Sequence, residues 1–348
     1  MRVAIPSFAK INLGLRIGAL RSDGFHELRT VYQTIALHDT ISVSVRRGSG
    51  IEIRCNDARV PTNETNTCYR IVERAMEALH ARGRVQIEIE KRLPVQGGLG
   101  GASGNAVAAL LGLELALKKK LSGADRLRIA AEVGSDLPLF LIGGTVLGVG
   151  RGEEVYQLPD LSQMPCVIAL PEIAVSTPKA FADWDRLRGA GALARESSTE
   201  KDNAPITASK LTSPSHSDRM LKFSREISAW LSAVPVGSGG RRSGVSAKGG
   251  GRAENPLLDL VRTGIENDFE QVVFPQYPEL REVKRVLQRA GARYASLSGS
   301  GSAVYGLFDS REKAAKAAKK LEQRGTRAVL TSTLTRRQYW KKLLAVSS

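Results

Sequence analysis

Five glycines fall within eight residues, Gly97, Gly98, Gly100, Gly101 and Gly104, in the segment PVQGGLGGASGNA that leads into a long Ala/Leu run. Glycine lets a backbone approach a ligand closely. At a helix N-terminus the converging N–H groups and about half a positive charge from the helix dipole form a cradle for an anion, above all a phosphate. A tight structural turn is the competing reading. The loop is not a Walker cradle, because no GK[ST] triplet occurs, and Ser103 stands where GxGxxG needs its last glycine. The Ser103 hydroxyl is fit to contact a phosphate or Mg²⁺, or to cap the helix.

Other residues invite a chemical and a plain reading side by side. Asp136, in GSDLPLFL, precedes Pro138 and an apolar run. It is either an N-cap or a carboxylate placed to accept a proton from an attacking hydroxyl. Lys10 is a lone cation in an apolar strand, so it either lies on a wet edge or serves a site. His26, in RSDGFHELRT, reads as an ordinary surface histidine, and the Gly/Ser turn Ser298–Ser302 as a hairpin turn. No Ser–His–Asp order or CxxC pair is visible. Cys55, Cys68 and Cys166 are widely spaced, which points to a reducing compartment.

Secondary-structure patterning predicts an α+β chain in two domains, residues 1–160 and 161–340. Strands are expected over Val3–Ile17, Thr40–Val45, Ile51–Ile53, Val85–Ile89 and Thr145–Val149, with helices from Asn66 to about Ala81, from the glycine loop to about Lys119, and from Ala124. Cys166–Leu170 begins the second domain. Residues 189–255 read as a flexible insert, with one helix over Asp218–Leu231. Beyond it come helix Tyr277–Ala290, strands Tyr294–Leu297 and Ala303–Phe308, helix Ser310–Arg324 and strand Arg327–Leu330. The net charge of +16 suggests nucleic acid, but residues 186–255 carry +6 of it and 311–348 carry +9. The rest is nearly neutral, so no nucleic-acid partner is expected. No apolar run reaches the ~20 residues of a membrane span, and no signal peptide is evident, so a cytoplasmic protein without a membrane partner is expected.

Three segments together resemble the GHMP kinase superfamily: AKINLGL (Ala9–Leu15), the glycine loop, and LSGSGSAVYGLF (Leu297–Phe308). The resemblance implies an N-terminal domain like the second domain of ribosomal protein S5, a ferredoxin-like C-terminal domain, and ATP with Mg²⁺. Pro94, Gly97, Gly98, Leu99, Gly100, Gly101, Ala102, Ser103 and Gly104 would bind ATP. Lys10 with Asn12, DGFH (Asp23–His26), GSDLPLFL, GRGE (Gly150–Glu153) and NDFE (Asn267–Glu270) point to the branch that phosphorylates the 2-hydroxyl of a cytidine-diphospho sugar alcohol in non-mevalonate isoprenoid biosynthesis. By that resemblance Asp136 is the base, Lys10 orients it, Asn12 positions the hydroxyl, His26 reads the cytosine, and Phe25 and Phe181 are its aromatic walls. A monomer or homodimer is implied. The chain departs from the pattern at Phe25, where Tyr is usual, at Gln96 and Ala102, where Gly is common, and at Gly104, where Ser or Asp is common. Alternatives are a mevalonate- or homoserine-type kinase, or an RNA-binding protein with an S5-like fold.

Overall fold

The computed structural model describes residues 2–199, 220 and 266–345. Two sheets organise them. The first contains β1 (Arg2–Leu20), β2 (His26–Arg46), β3 (Ile51–Cys55), β4 (Arg84–Glu90), β5 (Thr145–Val149) and β6 (Glu154–Gln157), in the order β3-β4-β2-β5-β6 with β1 on β2. Helices α1 (Thr67–Ala78), α2 (Gly101–Leu117), α3 (Gly123–Val133) and α4 (Leu137–Ile142) belong to this half. The second sheet contains β7 (Pro165–Leu170), β8 (Tyr294–Leu297), β9 (Val304–Leu307) and β10 (Arg327–Ser332), in the order β10-β7-β9-β8. Its helices are α5 (Thr177–Thr199), α6 (Glu270–Gln276), α7 (Pro278–Arg289) and α8 (Arg311–Glu322), followed by a closing α9 (Arg336–Leu344). The order of this second sheet is that of a ferredoxin-like sandwich, and the whole is a two-domain α+β architecture.

A change of phase along β1 decides where the chemistry points. Along β1, Val3, Ile5 and Phe8 pack into the helix-covered core of the first sheet, whereas Ala9, Ile11 and Leu13 pack toward the second sheet. Ile5 and Phe8 are three residues apart on one face, so the alternation changes phase between them and runs regularly from Phe8 onward. Lys10 and Asn12 therefore share the helix side with Phe8, below α2 and α4.

The fold also departs from the expected elements. Strand β2 begins at His26, well before the expected Thr40, and runs for 21 residues. Its polar residues hide the pattern because it is a central strand, paired with β1 along its length and with β5 and β4 on its other side. Helix α5 continues to Thr199, so residues 189–199 are helix where an insert was expected; Ala, Leu, Arg and Glu outweigh the two glycines there. The remainder of the insert, including Asp218–Leu231 apart from Met220, lies outside the described residues. Strand β6 and helix α6 had no expected counterpart.

Helix α9 returns to the first half and finishes α4. The Tyr339 hydroxyl donates to the Phe140 carbonyl at 2.6 Å, and the Trp340 indole N–H donates to the Ile142 carbonyl at 2.9 Å. Both carbonyls stand at the end of α4 and lack helical partners there. Tyr339→Phe should leave the Phe140 carbonyl buried and unpaired, at a cost of about 1–3 kcal/mol. The expected reading is a lower urea midpoint with an unchanged slope; an unchanged midpoint would remove this bond from the stability of α4.

Candidate active site

The glycine loop forms one wall of a cleft of about 340 Å³, faced by Asn66, Thr67 and Lys91. Helix α2 begins at Gly101 with Gly100 as its cap residue, at φ 68°, and no side chain caps its first turn. Its leading N–H groups are thus left to a ligand. Ser103 is the third residue of the helix, so the capping role is excluded and its hydroxyl stays available. Gly98 is forced by contact: with φ +72°, a Cβ on it would stand 2.1 Å from the Ser298 carbonyl oxygen. Gln96, where the GHMP pattern commonly has Gly, adopts φ 61°. Gly104 has no room for the Ser or Asp common there, since a Cβ would lie 2.8 Å from the Phe8 carbonyl. Any cation contact from position 104 is therefore ruled out in this chain.

The second glycine turn is not an isolated hairpin. The Ser298 hydroxyl donates to the Gly98 carbonyl at 3.0 Å and the Ala303 N–H to the Gly97 carbonyl at 3.2 Å. Asn267 is 1% exposed. Its amide donates to the carbonyls of Leu297 and Gly299 at 2.9 and 2.7 Å. The NDFE segment thereby fixes the turn that closes the phosphate loop from the other domain.

Behind Gly100 lies a buried polar chain. Lys10 is 4% exposed, which rules out the wet-edge reading. Its Nζ sits 3.2 Å from Asp136 Oδ2 and donates to Asn12 Oδ1 at 2.7 Å. The Asn12 amide donates to the Thr30 hydroxyl at 2.8 Å, which donates to the Gly14 carbonyl at 2.8 Å. Both ends of the Asn12 side chain are thus engaged, and its visible work is to hold Lys10. Asp136 occupies the cap position of α4 yet makes no side-chain cap bond, and its carboxylate stays about a third exposed. Tyr32 donates its hydroxyl to Asp136 Oδ1 at 2.9 Å. Gly100 joins chain and cleft: a Cβ on it would lie 2.9 Å from Lys10 Cγ. A carboxylate paired with a buried ammonium behind a phosphate cradle is suited to in-line phosphoryl transfer, which asks a protein for positioning and charge stabilisation.

The residues expected to read the base lie together but not as two open walls. Phe181 is stacked on His26, ring centroids 5.2 Å apart and planes 3° apart. His26 is buried, with Nδ1 3.2 Å from the Gly18 carbonyl and Nε2 3.3 Å from Asp185. Phe25 is 52% exposed at the tip of the β1–β2 hairpin, with the Arg151 guanidinium 5.0 Å from its ring centre. Tyr32 and Thr30 were not singled out from the sequence, and Asn267 only as the first residue of NDFE. Tyr32 and Thr30 alternate along β2, so a strand reading of residues 26–39 would have placed them on one face.

Such a site on such a two-domain fold defines a small-molecule kinase, and sequence comparison agrees. Residues 66–144 match the GHMP kinases N terminal domain and residues 254–327 match GHMP kinases C terminal. The chain is 35% identical over 342 residues to a 4-diphosphocytidyl-2-C-methyl-D-erythritol kinase of Solibacter usitatus, covering 98% of this chain and 92% of that protein. It is 34% identical to the enzyme of that name from Acaryochloris marina over 88% of this chain and 87% of the relative. A crystal structure of 4-(cytidine 5'-diphospho)-2C-methyl-D-erythritol kinase superposes with a TM-score of 0.66 at 27% identity, covering 95% and 98% of the two chains. A homoserine kinase from Cytophaga hutchinsonii shares the fold, with a TM-score of 0.64 at 19% identity over 96% and 95%. The chain belongs to the GHMP kinases, and within them to the 4-diphosphocytidyl-2-C-methyl-D-erythritol kinase family. It is an ATP-dependent kinase.

Proposed function

We propose that the chain transfers the γ-phosphoryl group of ATP to the 2-hydroxyl of 4-diphosphocytidyl-2-C-methyl-D-erythritol, a step of non-mevalonate isoprenoid biosynthesis. The observation that carries this reading is the buried Lys10–Asp136 pair set behind Gly100 of the phosphate loop. The first-turn N–H groups of α2 hold phosphate oxygens. Asp136 accepts the proton of the acceptor hydroxyl as the O–P bond forms and ADP leaves. Lys10 fixes that carboxylate and stabilises negative charge on the transferring group.

Among the described residues no group of three or more His, Cys, Asp or Glu side chains is placed to hold a metal ion. A cation that arrives with nucleotide would need fewer protein ligands, because phosphate oxygens and retained waters would supply most of its shell. Mg²⁺ fits on those terms, with the Ser103 hydroxyl as the protein contribution, and it neutralises phosphate charge when bound. All of the named side chains come from one chain, so the reading suits a monomer or a homodimer. Among the described residues no helix is long and apolar enough to cross a membrane. The cytoplasm, which supplies ATP, is the setting this reading implies.

For base recognition, the contacts of His26 favour Nδ1 as donor to Gly18. Nε2 faces the Asp185 carboxylate, itself an acceptor, so both ring nitrogens meet acceptor oxygens here; once Asp185 has moved off, Nε2 of a neutral ring is left to accept from the exocyclic amino group of cytosine. Uracil carries a carbonyl oxygen there, so acceptor would face acceptor. Phe181 and Asp185 both belong to α5, and both must give way for a base to reach His26. Turnover measured with 4-diphosphocytidyl-2-C-methyl-D-erythritol, its uridine analogue, mevalonate and homoserine tests the function. Only the cytidine acceptor should be phosphorylated efficiently, and His26→Ala should shrink the cytidine-to-uridine ratio of kcat/KM. Equal use of mevalonate or homoserine would overturn the substrate. An unchanged ratio in His26→Ala would remove His26 from base reading.

A further inference from the structure

Asp136 stands where an aspartate ordinarily bonds to the first N–H groups of its own helix, and it makes no such bond. Its carboxylate is held from other elements instead, by Lys10 at Oδ2 and by the Tyr32 hydroxyl at Oδ1. We propose that Tyr32 is a positioning residue for the phosphoryl transfer: its hydroxyl fixes the Asp136 carboxylate so that the oxygen beside Lys10 is presented to the acceptor hydroxyl. The inference rests on the reading of Asp136 given above.

Three further features support it. The tyrosine is fitted into a slot made by two glycines. A Cβ on Gly148 would stand 2.5 Å from the Tyr32 ring, and a Cβ on Gly152 would stand 2.5 Å from the phenol oxygen. The backbone after β5 therefore leaves room for this hydroxyl in particular. Burial, reinforced by the Asp136 charge, pushes the phenol well above its ordinary range, so it remains a donor through neutral pH. The ring also lies under Lys10, whose Nζ is 5.4 Å from its centre. One side chain thus touches both members of the pair, the ammonium with its face and the carboxylate with its hydroxyl.

Tyr32→Phe keeps the ring and its contact with Lys10 and removes only the donor. Its kcat, KM for ATP and thermal midpoint should be measured in wild type and in an Asp136→Asn background. The expected result is a loss in kcat of about 10- to 100-fold in wild type, an unchanged KM for ATP, and no further loss beside Asp136→Asn. A purely structural tyrosine would instead cost the same factor in both backgrounds, and that result would overturn the proposal, as would a kcat within two-fold of wild type. If Asp136→Asn alone turned over normally, the reading of Asp136 would fail and the proposal with it; if Asp136→Asn were inactive and Tyr32→Phe normal, only the proposal would fail. Gly152→Ala supplies a second route should Tyr32→Phe fold poorly. Its methyl group meets the hydroxyl, so it should lower kcat in wild type and add little beside Asp136→Asn, whereas strain at its φ of +99° alone would cost the same in both. Equal losses in the two would also overturn the proposal.

Discussion

Asp136→Asn is expected to lower kcat at least ~100-fold while the affinity for ATP stays close to that of the parent protein. The amide keeps the size of the carboxylate, and with its oxygen toward Lys10 its NH2 can donate to the Tyr32 hydroxyl oxygen, so the fold of α4 is preserved. It cannot take the acceptor proton. It also removes the negative partner of Lys10, leaving a side chain that is 4% exposed with one charge fewer beside it. Its carbonyl oxygen can still receive one bond from the ammonium, and the Asn12 oxygen at 2.7 Å still receives another, which limits the cost to stability. Steady-state kinetics together with nucleotide titration distinguish the outcomes. Near-normal kcat would take Asp136 out of the chemistry; a large loss of ATP affinity would instead make it a nucleotide ligand.

Gly100→Val should weaken ATP binding and turnover together, by about 100-fold or more in kcat/KM. Three effects coincide there. The position has φ +68°, which a β-branched residue scarcely adopts. Its Cβ would press on Lys10 Cγ at 2.9 Å and on the Phe140 ring at 3.0 Å, disturbing the lysine paired with Asp136 and the helix that follows Asp136. The added methyls would also fill the approach to the leading N–H groups of α2. Gly101 makes a useful contrast. A Cβ there would stand 3.3 Å from Lys91 Nζ, which its ion pair with buried Asp39 holds in place, so the contact is tight but asks for only a few tenths of an ångström, and no left-handed φ is involved. Gly101→Ala should therefore stay within a few-fold of wild type. Comparable losses in the two variants would show that bulk anywhere in the loop matters, rather than the strained cap and its contact with Lys10.

The parts of this site that were legible in the sequence are those whose residue types are costly without a purpose. Glycines crowded before a helix, a lysine in an apolar strand and an aspartate before a proline each stand out in one dimension. What remained hidden depends on long-range pairing. Tyr32 and Thr30 sit in a stretch whose polar residues mask a central strand, and only the pairing of β2 with β1 sets Tyr32 opposite Asn12. Lys10 and Asn12 are two residues apart, so their common side was readable, but which side that is follows from the change of phase between Ile5 and Phe8. Asn267 was visible as part of NDFE, yet its role needs the return of the chain to Leu297 and Gly299. The stacking of Phe181 on His26 was not foreseen, because Phe181 was assigned to a wall and His26 to reading the base, and the ring-to-ring contact is decided by the docking of α5.

The most direct test is a single-turnover reaction with ATP labelled in its γ-phosphate and 4-diphosphocytidyl-2-C-methyl-D-erythritol as acceptor. An in-line transfer assisted by Asp136 predicts that the label passes in one step into a phosphomonoester of the acceptor, in equal amount to the ADP formed, and that Asp136→Asn binds the nucleotide but leaves the label on ATP. Label retained on the protein, or released as inorganic phosphate with the acceptor unmodified, would contradict it.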